Sequence, residues 1–269
     1  MIQFLILPFI ACLILTGIHV YFGLHVVARK VIFVDLALAQ MAALGTTTAF
    51  LMGYDLHSLP AYFISLGFTL VGAALFALTR TRGDRIPQEA IIGITYAVSA
   101  AAAVILFDRA PEGAEHLQNL LVGSILLVKL MEVAQMALLY AAIGGVHYLL
   151  RRPMLAVSFH DGLLSGRRLN ARFWDFLFYA LFGLVVTSSV RIAGVLLVFA
   201  YLVVPAVFSL LYSERVGVRL LIGWGMGALV SLLGMAASVA FDLPSGAAIV
   251  CVFGLVLGLQ GLFRGVWAR

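Results

Sequence analysis

Apolar runs of about 20 residues, separated by short polar segments, recur along the whole chain. A helix of that length crosses the roughly 30 Å hydrocarbon core of a bilayer. The runs lie at Ile2–Val27, Val31–Gly53, Leu59–Thr79, Pro87–Phe107, Lys129–Leu150, Phe173–Val190, Ile192–Tyr212, Val216–Phe241 and Ala247–Phe263. Only Arg191 separates the sixth from the seventh, so the pattern accommodates eight spans or nine. Leu117–Val128 is apolar but too short to span, which predicts a re-entrant or interfacial helix. The short alternating segments of a membrane barrel are absent. The expected fold is all-α: one polytopic transmembrane domain over residues 1–269, with no long soluble domain or linker.

Composition agrees, because 64% of the 269 residues are hydrophobic and only 11% are charged. A soluble domain has about 45–50% and 25%. The net charge of +5 does not point to nucleic acid, since the basic residues sit at the ends of apolar runs. Placing Arg29 and Lys30 in the cytoplasm puts fourteen of the seventeen Lys and Arg residues on that face. The positive-inside bias therefore predicts the N-terminus outside and the C-terminus inside. No basic residue precedes the first run, which reads as a retained span rather than a cleaved signal. Cys12 and Cys251 fall inside apolar runs and suggest neither a disulfide framework nor a metal motif. A Gly-x4-Gly-Lys-Ser/Thr loop is missing, so ATP hydrolysis would have to come from another chain.

Candidate chemistry concentrates in Arg29–Gly45, where Asp35 and Gln40 interrupt an apolar, small-residue helix. Polar groups inside a span usually face other helices or a water-filled path. At about 100° per residue, Asp35, Ala42 and Thr46 share one stripe and Gln40, Ala43 and Thr47 a neighbouring one. Asp35 and Gln40 diverge by about 140°, so this helix alone does not direct both at one ion. They serve either as interhelical contacts or as lining of a pathway. Among carboxylates inside the spans, only Asp35 and, less clearly, Glu132 stand out; Lys129 lies one turn away as an ion-pair partner for Glu132. Pro205 removes a helical hydrogen bond in mid-span and predicts a kink. Gly223-x3-Gly227 and Gly254-x3-Gly258 read as helix-packing motifs.

Two loop regions add candidates. His57, Glu115 and His116 fall on the outer face and could hand over a metal ion, although solvated loop charge is the plainer account. On the cytoplasmic side, Pro153–Arg172 is the longest non-spanning stretch. Its apolar part, Met154–Gly162, predicts a short helix that docks on a partner or lies on anionic lipid.

Several of these segments resemble the membrane subunits of zinc- and manganese-type ABC importers, over almost the whole chain. Ala193-Gly194-Val195-Leu196-Leu197-Val198 followed by Leu202-Val203-Val204-Pro205-Ala206 is similar to the family's Val-Gly-x-Leu-Leu-(Val/Ile) and Leu-(Ile/Val)-x-Pro-Ala elements. Val122-Gly123-Ser124-Ile125-Leu126, Ile92-Gly93-Ile94 after Glu89, and Asp242-x-Pro244-x-Gly246 match further elements. The basic pair Arg29-Lys30 stands where the family has one before Gly-Asp-x-x-x-His. Ungapped, Gln40 takes the histidine position and Leu36 the aspartate position, with Asp35 on the glycine.

The resemblance implies a type II ABC importer permease in a bacterial cytoplasmic membrane, working by alternating access. It implies a homodimer with the pathway at or near its interface, two ATPase subunits carrying ATP and Mg, and a periplasmic or lipid-anchored substrate-binding protein. Phe159, His160, Asp161, Gly162 and Gly166 would form the coupling helix. The implied cargo is zinc, manganese, iron or a metal complex. A secondary carrier or channel, or an ABC permease with a non-metal cargo, remains the alternative.

Overall fold

The computed structural model describes residues 2–56, 58–80, 86–108, 123, 125–159 and 170–264. Ten α-helices and no strand occur among them: α1 (Ile2–Ala28), α2 (Val34–Leu51), α3 (Leu59–Leu78), α4 (Gln88–Phe107), α5 (Leu130–Leu149), α6 (Arg151–Phe159), α7 (Ala171–Ala193), α8 (Val195–Leu210), α9 (Val216–Phe241) and α10 (Ser245–Arg264). An all-helical chain keeps every span's backbone hydrogen bonds internal, as lipid demands. Eight of these helices are long and apolar enough to cross a membrane.

The remaining apolar helix, α8, is shorter, so length alone gives eight spans and α8 would be the ninth. Its 16 residues extend about 24 Å, against roughly 30 Å for the hydrocarbon core. The expected run Ile192–Tyr212 is shortened at both ends. At its start, α7 continues through Arg191 to Ala193, and the break falls at Gly194 with φ +78°. A left-handed residue ends a helix, whereas a single arginine does not. The expected helix over Leu117–Val128 lies partly outside the described residues; its described end is a 3₁₀ turn, Ile125–Leu127.

The chain divides into two compact units. The first comprises Met1–Val27, Leu121–Tyr140 and Arg191–Arg269. Here α9 packs on α8 and α10, around Tyr201 set edge-on to Phe253 at 5.2 Å. Backbones meet closely at glycines. A Cβ on Gly23 would lie 1.9 Å from the Leu202 carbonyl oxygen. Gly223 faces Val20 and Pro205, and Gly227 faces Thr16, so this Gly-x3-Gly pair packs within the unit. A Cβ built on Gly254 or Gly258 would meet nothing within 4 Å among the described residues, contrary to the close packing expected of them.

Gly123 and Gly194 explain two of the family-like motifs together. Gly123 has φ +61°, and a Cβ there would sit 2.3 Å from the Ala193 carbonyl carbon and 2.4 Å from the Gly194 nitrogen. Each motif needs glycine because the loop before the 3₁₀ turn presses on the peptide that separates α7 from α8. Asp242 is likewise left-handed (φ +51°) as it closes α9, and Pro244 immediately precedes α10.

The second unit comprises Ala28–Leu120 and Ala141–Val190. Its centre is α2, which packs on α3 and α4 and has the largest buried share of any span, 67%. Ser65 of α3 donates to the Ala42 carbonyl at 2.8 Å, and Gly45 meets the Ser65 backbone. Ser99 of α4 reaches the Met41 sulfur at 3.0 Å. Thr69 and Thr187 join α3 to α7 through their hydroxyls at 3.0 Å. Small residues and short hydroxyls thus replace bulky packing at the crossings, as expected where lipid supplies no hydrophobic drive.

These close approaches set a stability prediction. Gly123→Ala and Gly23→Ala force backbone to move and should each lower the melting temperature of the detergent-purified protein, by about 2 kcal/mol or more of stability. Gly217→Ala, with open space around it, should change stability by less than about 0.5 kcal/mol. Equal melting temperatures for all three variants would contradict the packing described.

Candidate functional site

The polar groups of α2 come first, because burial there is deepest. Asp35 lies in the first turn, where the helix dipole favours a carboxylate. It is only 2% exposed, and its Oδ1 has no hydrogen-bond partner among the described residues. Such an orphan is unusual, since nearly all buried polar atoms are satisfied. Gln40 is also buried, as is Thr47, while Thr46 is half-buried. The hydroxyls of Thr46 and Thr47 donate to the Ala42 and Ala43 carbonyls at 3.0 and 2.8 Å. Each hydroxyl therefore still has an oxygen lone pair to offer.

A second polar centre lies in the same unit, around the residue just before α2. Arg29 Nη1 donates to Asp175 Oδ1 at 2.8 Å, and its Nε donates to the Ser158 hydroxyl at 2.8 Å. Arg80, beyond the end of α3, donates to the other Asp175 oxygen at 2.5 Å. The Arg29 guanidinium also stacks on Phe178, 3.8 Å from the ring centroid. Side-chain exposure is 6% for Arg29 and 1% for Asp175, so this pair is buried. Burial pushes the Arg29 guanidinium down from its ordinary pKa, and the Asp175 carboxylate opposes that shift.

Three neighbouring contacts complete the centre. Glu89, in the first turn of α4, accepts the Ile32 backbone N–H at 2.7 Å, tethering the α1–α2 turn. Gln88 donates to the Phe76 carbonyl at 2.9 Å and to the Tyr179 hydroxyl at 3.3 Å. Lys30 holds a left-handed backbone (φ +56°), an uncommon and mildly costly state for a lysine. A cavity of about 510 Å³ opens among Arg29, Lys30, Arg80, Glu89, Ser158 and Asp175. The turn that starts α2 is therefore gripped by α4, α6 and α7 at once.

Of the sequence-predicted residues, Asp35, Gln40, Thr46 and Thr47 sit together on the buried helix of the second unit. Glu132 and Pro205 belong to the first unit. Glu132 accepts the Lys129 backbone N–H at 2.8 Å, so it caps the start of α5 instead of pairing with the Lys129 side chain. Pro205 is buried inside α8, beside Gly223. Phe159 ends α6, whereas His160, Asp161, Gly162 and Gly166 lie outside the described residues, as do His57, Glu115 and His116. The described residues hold no cluster of three or more His, Cys, Asp or Glu side chains fit for a metal.

Asp175 is what reading the sequence missed. It stands within the sixth apolar run, in Phe173-Trp174-Asp175-Phe176, and so was one more carboxylate inside a span. The available signal was a lone acid in an aromatic run that follows an arginine-rich segment.

Comparison with known proteins matches this architecture to one family. The model of the ABC 3 transport family covers residues 1–263. The manganese transport system membrane protein MntC of Listeria innocua is 26% identical over 210 residues, covering 76% of this chain and 74% of that protein. MntC of Halalkalibacterium halodurans is 24% identical over 256 residues, covering 92% and 84%. In the structure of PsaBC from Streptococcus pneumoniae in complex with Fab, one chain superposes with a TM-score of 0.79 at 22% identity, covering 96% of this chain and 91% of that one. An all-helical, span-rich chain matched by one family model over nearly its whole length belongs to the ABC 3 transport family.

Proposed function

We propose that this chain is the permease subunit of an ABC importer whose cargo is a divalent transition metal, with manganese first in line. The observation that carries the reading is the orphaned carboxylate oxygen of Asp35 at the start of the most buried span. Relatives named for manganese transport support the cargo class.

The donor chemistry narrows the cargo further. Carboxylate, amide carbonyl and hydroxyl oxygens suit manganese, while imidazole and thiolate suit zinc. Asp35, Gln40, Thr46 and Thr47 offer only oxygen to a cation, and Gln40 stands where the resembling family has histidine. Asp35 and Gln40 are about 7.5 Å apart along the helix axis and point about 140° apart. They therefore act at successive positions on the path rather than as one binding site.

The rest of the importer follows the family plan. Two permease copies form the path. Two ATPase subunits carrying ATP and Mg dock beneath them, on the segment that begins with α6 and continues through His160, Asp161, Gly162 and Gly166. A substrate-binding protein delivers the ion to outer residues including His57, Glu115 and His116. With α8 counted as a crossing, the N-terminus lies outside and the C-terminus inside a bacterial cytoplasmic membrane. Pro205, with no N–H to hold the Tyr201 carbonyl, marks where α8 bends during alternating access.

Two measurements test this. Asp35→Ala and Gln40→Ala should each lower manganese(II) uptake by roughly tenfold or more, the scale of losing a charged or buried polar contact. Their membrane abundance and melting temperature should stay close to wild type. Normal uptake by both would remove them from the pathway. Separately, substituting His160, Asp161 and Gly162 together should abolish transport-linked ATP hydrolysis while the permease dimer still assembles. Wild-type uptake that continues without any ATPase subunit would make the protein a secondary carrier instead.

A further inference from the structure

We propose that Arg29, Asp175 and Ser158 are positioning residues that carry displacement of the coupling segment to the start of α2. The inference rests on the importer reading, in which the segment beginning with α6 meets the ATPase. What it adds is the physical connection between that segment and the buried helix bearing Asp35.

The geometry is a three-way fork. Arg29 spends Nε on Ser158 of α6 and Nη1 on Asp175 of α7, while its plane lies on Phe178. A guanidinium can do this because its donors form a rigid planar fork; a lysine ammonium, a point charge on a flexible stem, does not reproduce it. Arg29 is one residue from the left-handed turn at Lys30 and six from Asp35, with Ile32 pinned to Glu89 between them. Movement of α6 that pulls on Ser158 thus acts directly on the turn from which α2 starts. The cavity of about 510 Å³ beside these side chains leaves room for them to shift.

Electrostatics explains why the link is stiff at one end and releasable at the other. Asp175 is shared by two guanidinium groups in a buried place, and removing either kind of charge there leaves its partner stranded. The Arg29–Ser158 bond involves a neutral hydroxyl, so breaking it strands no charge. The hub Arg29–Asp175–Arg80 accordingly holds together as a unit, and the Ser158 contact is where α6 engages or releases it.

The test uses the whole transporter, permease with its ATPase and substrate-binding protein, in proteoliposomes with manganese(II) as cargo. Ser158→Ala and Arg29→Lys should each lower the manganese ions moved per ATP hydrolysed by about three- to tenfold, the range expected for one ordinary intramolecular hydrogen bond. Assembly yield of the complex should match wild type for Ser158→Ala, which separates lost coupling from lost folding. An unchanged ion-to-ATP ratio in Ser158→Ala overturns the proposal, whatever Arg29→Lys does. Wild-type uptake that ignores ATP would instead overturn the importer reading itself, a different result from normal coupling in the variants.

Discussion

Asp175 is a carboxylate that two arginines hold away from water, and the second unit is arranged around it. A charge in that environment persists only when it is paired and hydrogen-bonded. Arg29 and Arg80 satisfy both of its oxygens, and in doing so they fix the turn before α2 and the end of α3 against α7. Because Arg29 immediately precedes the turn into α2, the pair also sets where the most buried span begins. Losing either partner would cost about 3–5 kcal/mol, comparable to the whole stability of a modest domain. This one interaction therefore governs both the folding of the unit and the placement of Asp35.

Lipid imposes a complementary constraint on everything else. Helices in a bilayer gain little from apolar burial, so their contacts depend on close approach and on short hydroxyls. That is why Gly23, Gly45, Gly223 and Gly227 stand where backbones cross, and why Ser65, Thr69 and Thr187 bridge neighbouring helices. The same economy makes an unsatisfied polar atom conspicuous. Asp35 Oδ1 is such an atom, and it lies on the helix with the least contact with the outside.

Much of this was legible in the sequence. Apolar run length and the position of basic residues predict a helical membrane protein, and the motif around Gly194 and Pro205 points to the family that the comparison then identified. Asp35 and Gln40 were visible as polar interruptions of a small-residue run. Other features were not legible, for physical reasons. The end of α7 was placed at Arg191, since a charge looks like a boundary, but the backbone turns at Gly194, whose left-handed angle no periodicity encodes. Gly254 and Gly258 share the spacing of Gly223 and Gly227, yet only the latter pair meets a neighbour; spacing does not say which face of a helix is covered. Asp175 was overlooked because its partners, Arg29 and Arg80, are 146 and 95 residues away in the chain and only the fold assembles them.

In the proposed function, this ABC 3 family permease passes a divalent transition metal along an oxygen-lined helix, driven by ATP. The most direct test is metal-dependent ATP hydrolysis by the reconstituted permease–ATPase complex with its binding protein. Manganese(II) should stimulate hydrolysis more strongly than zinc(II), and Asp35→Ala should abolish the difference. Hydrolysis indifferent to both metals, or stimulated by zinc alone, would contradict it.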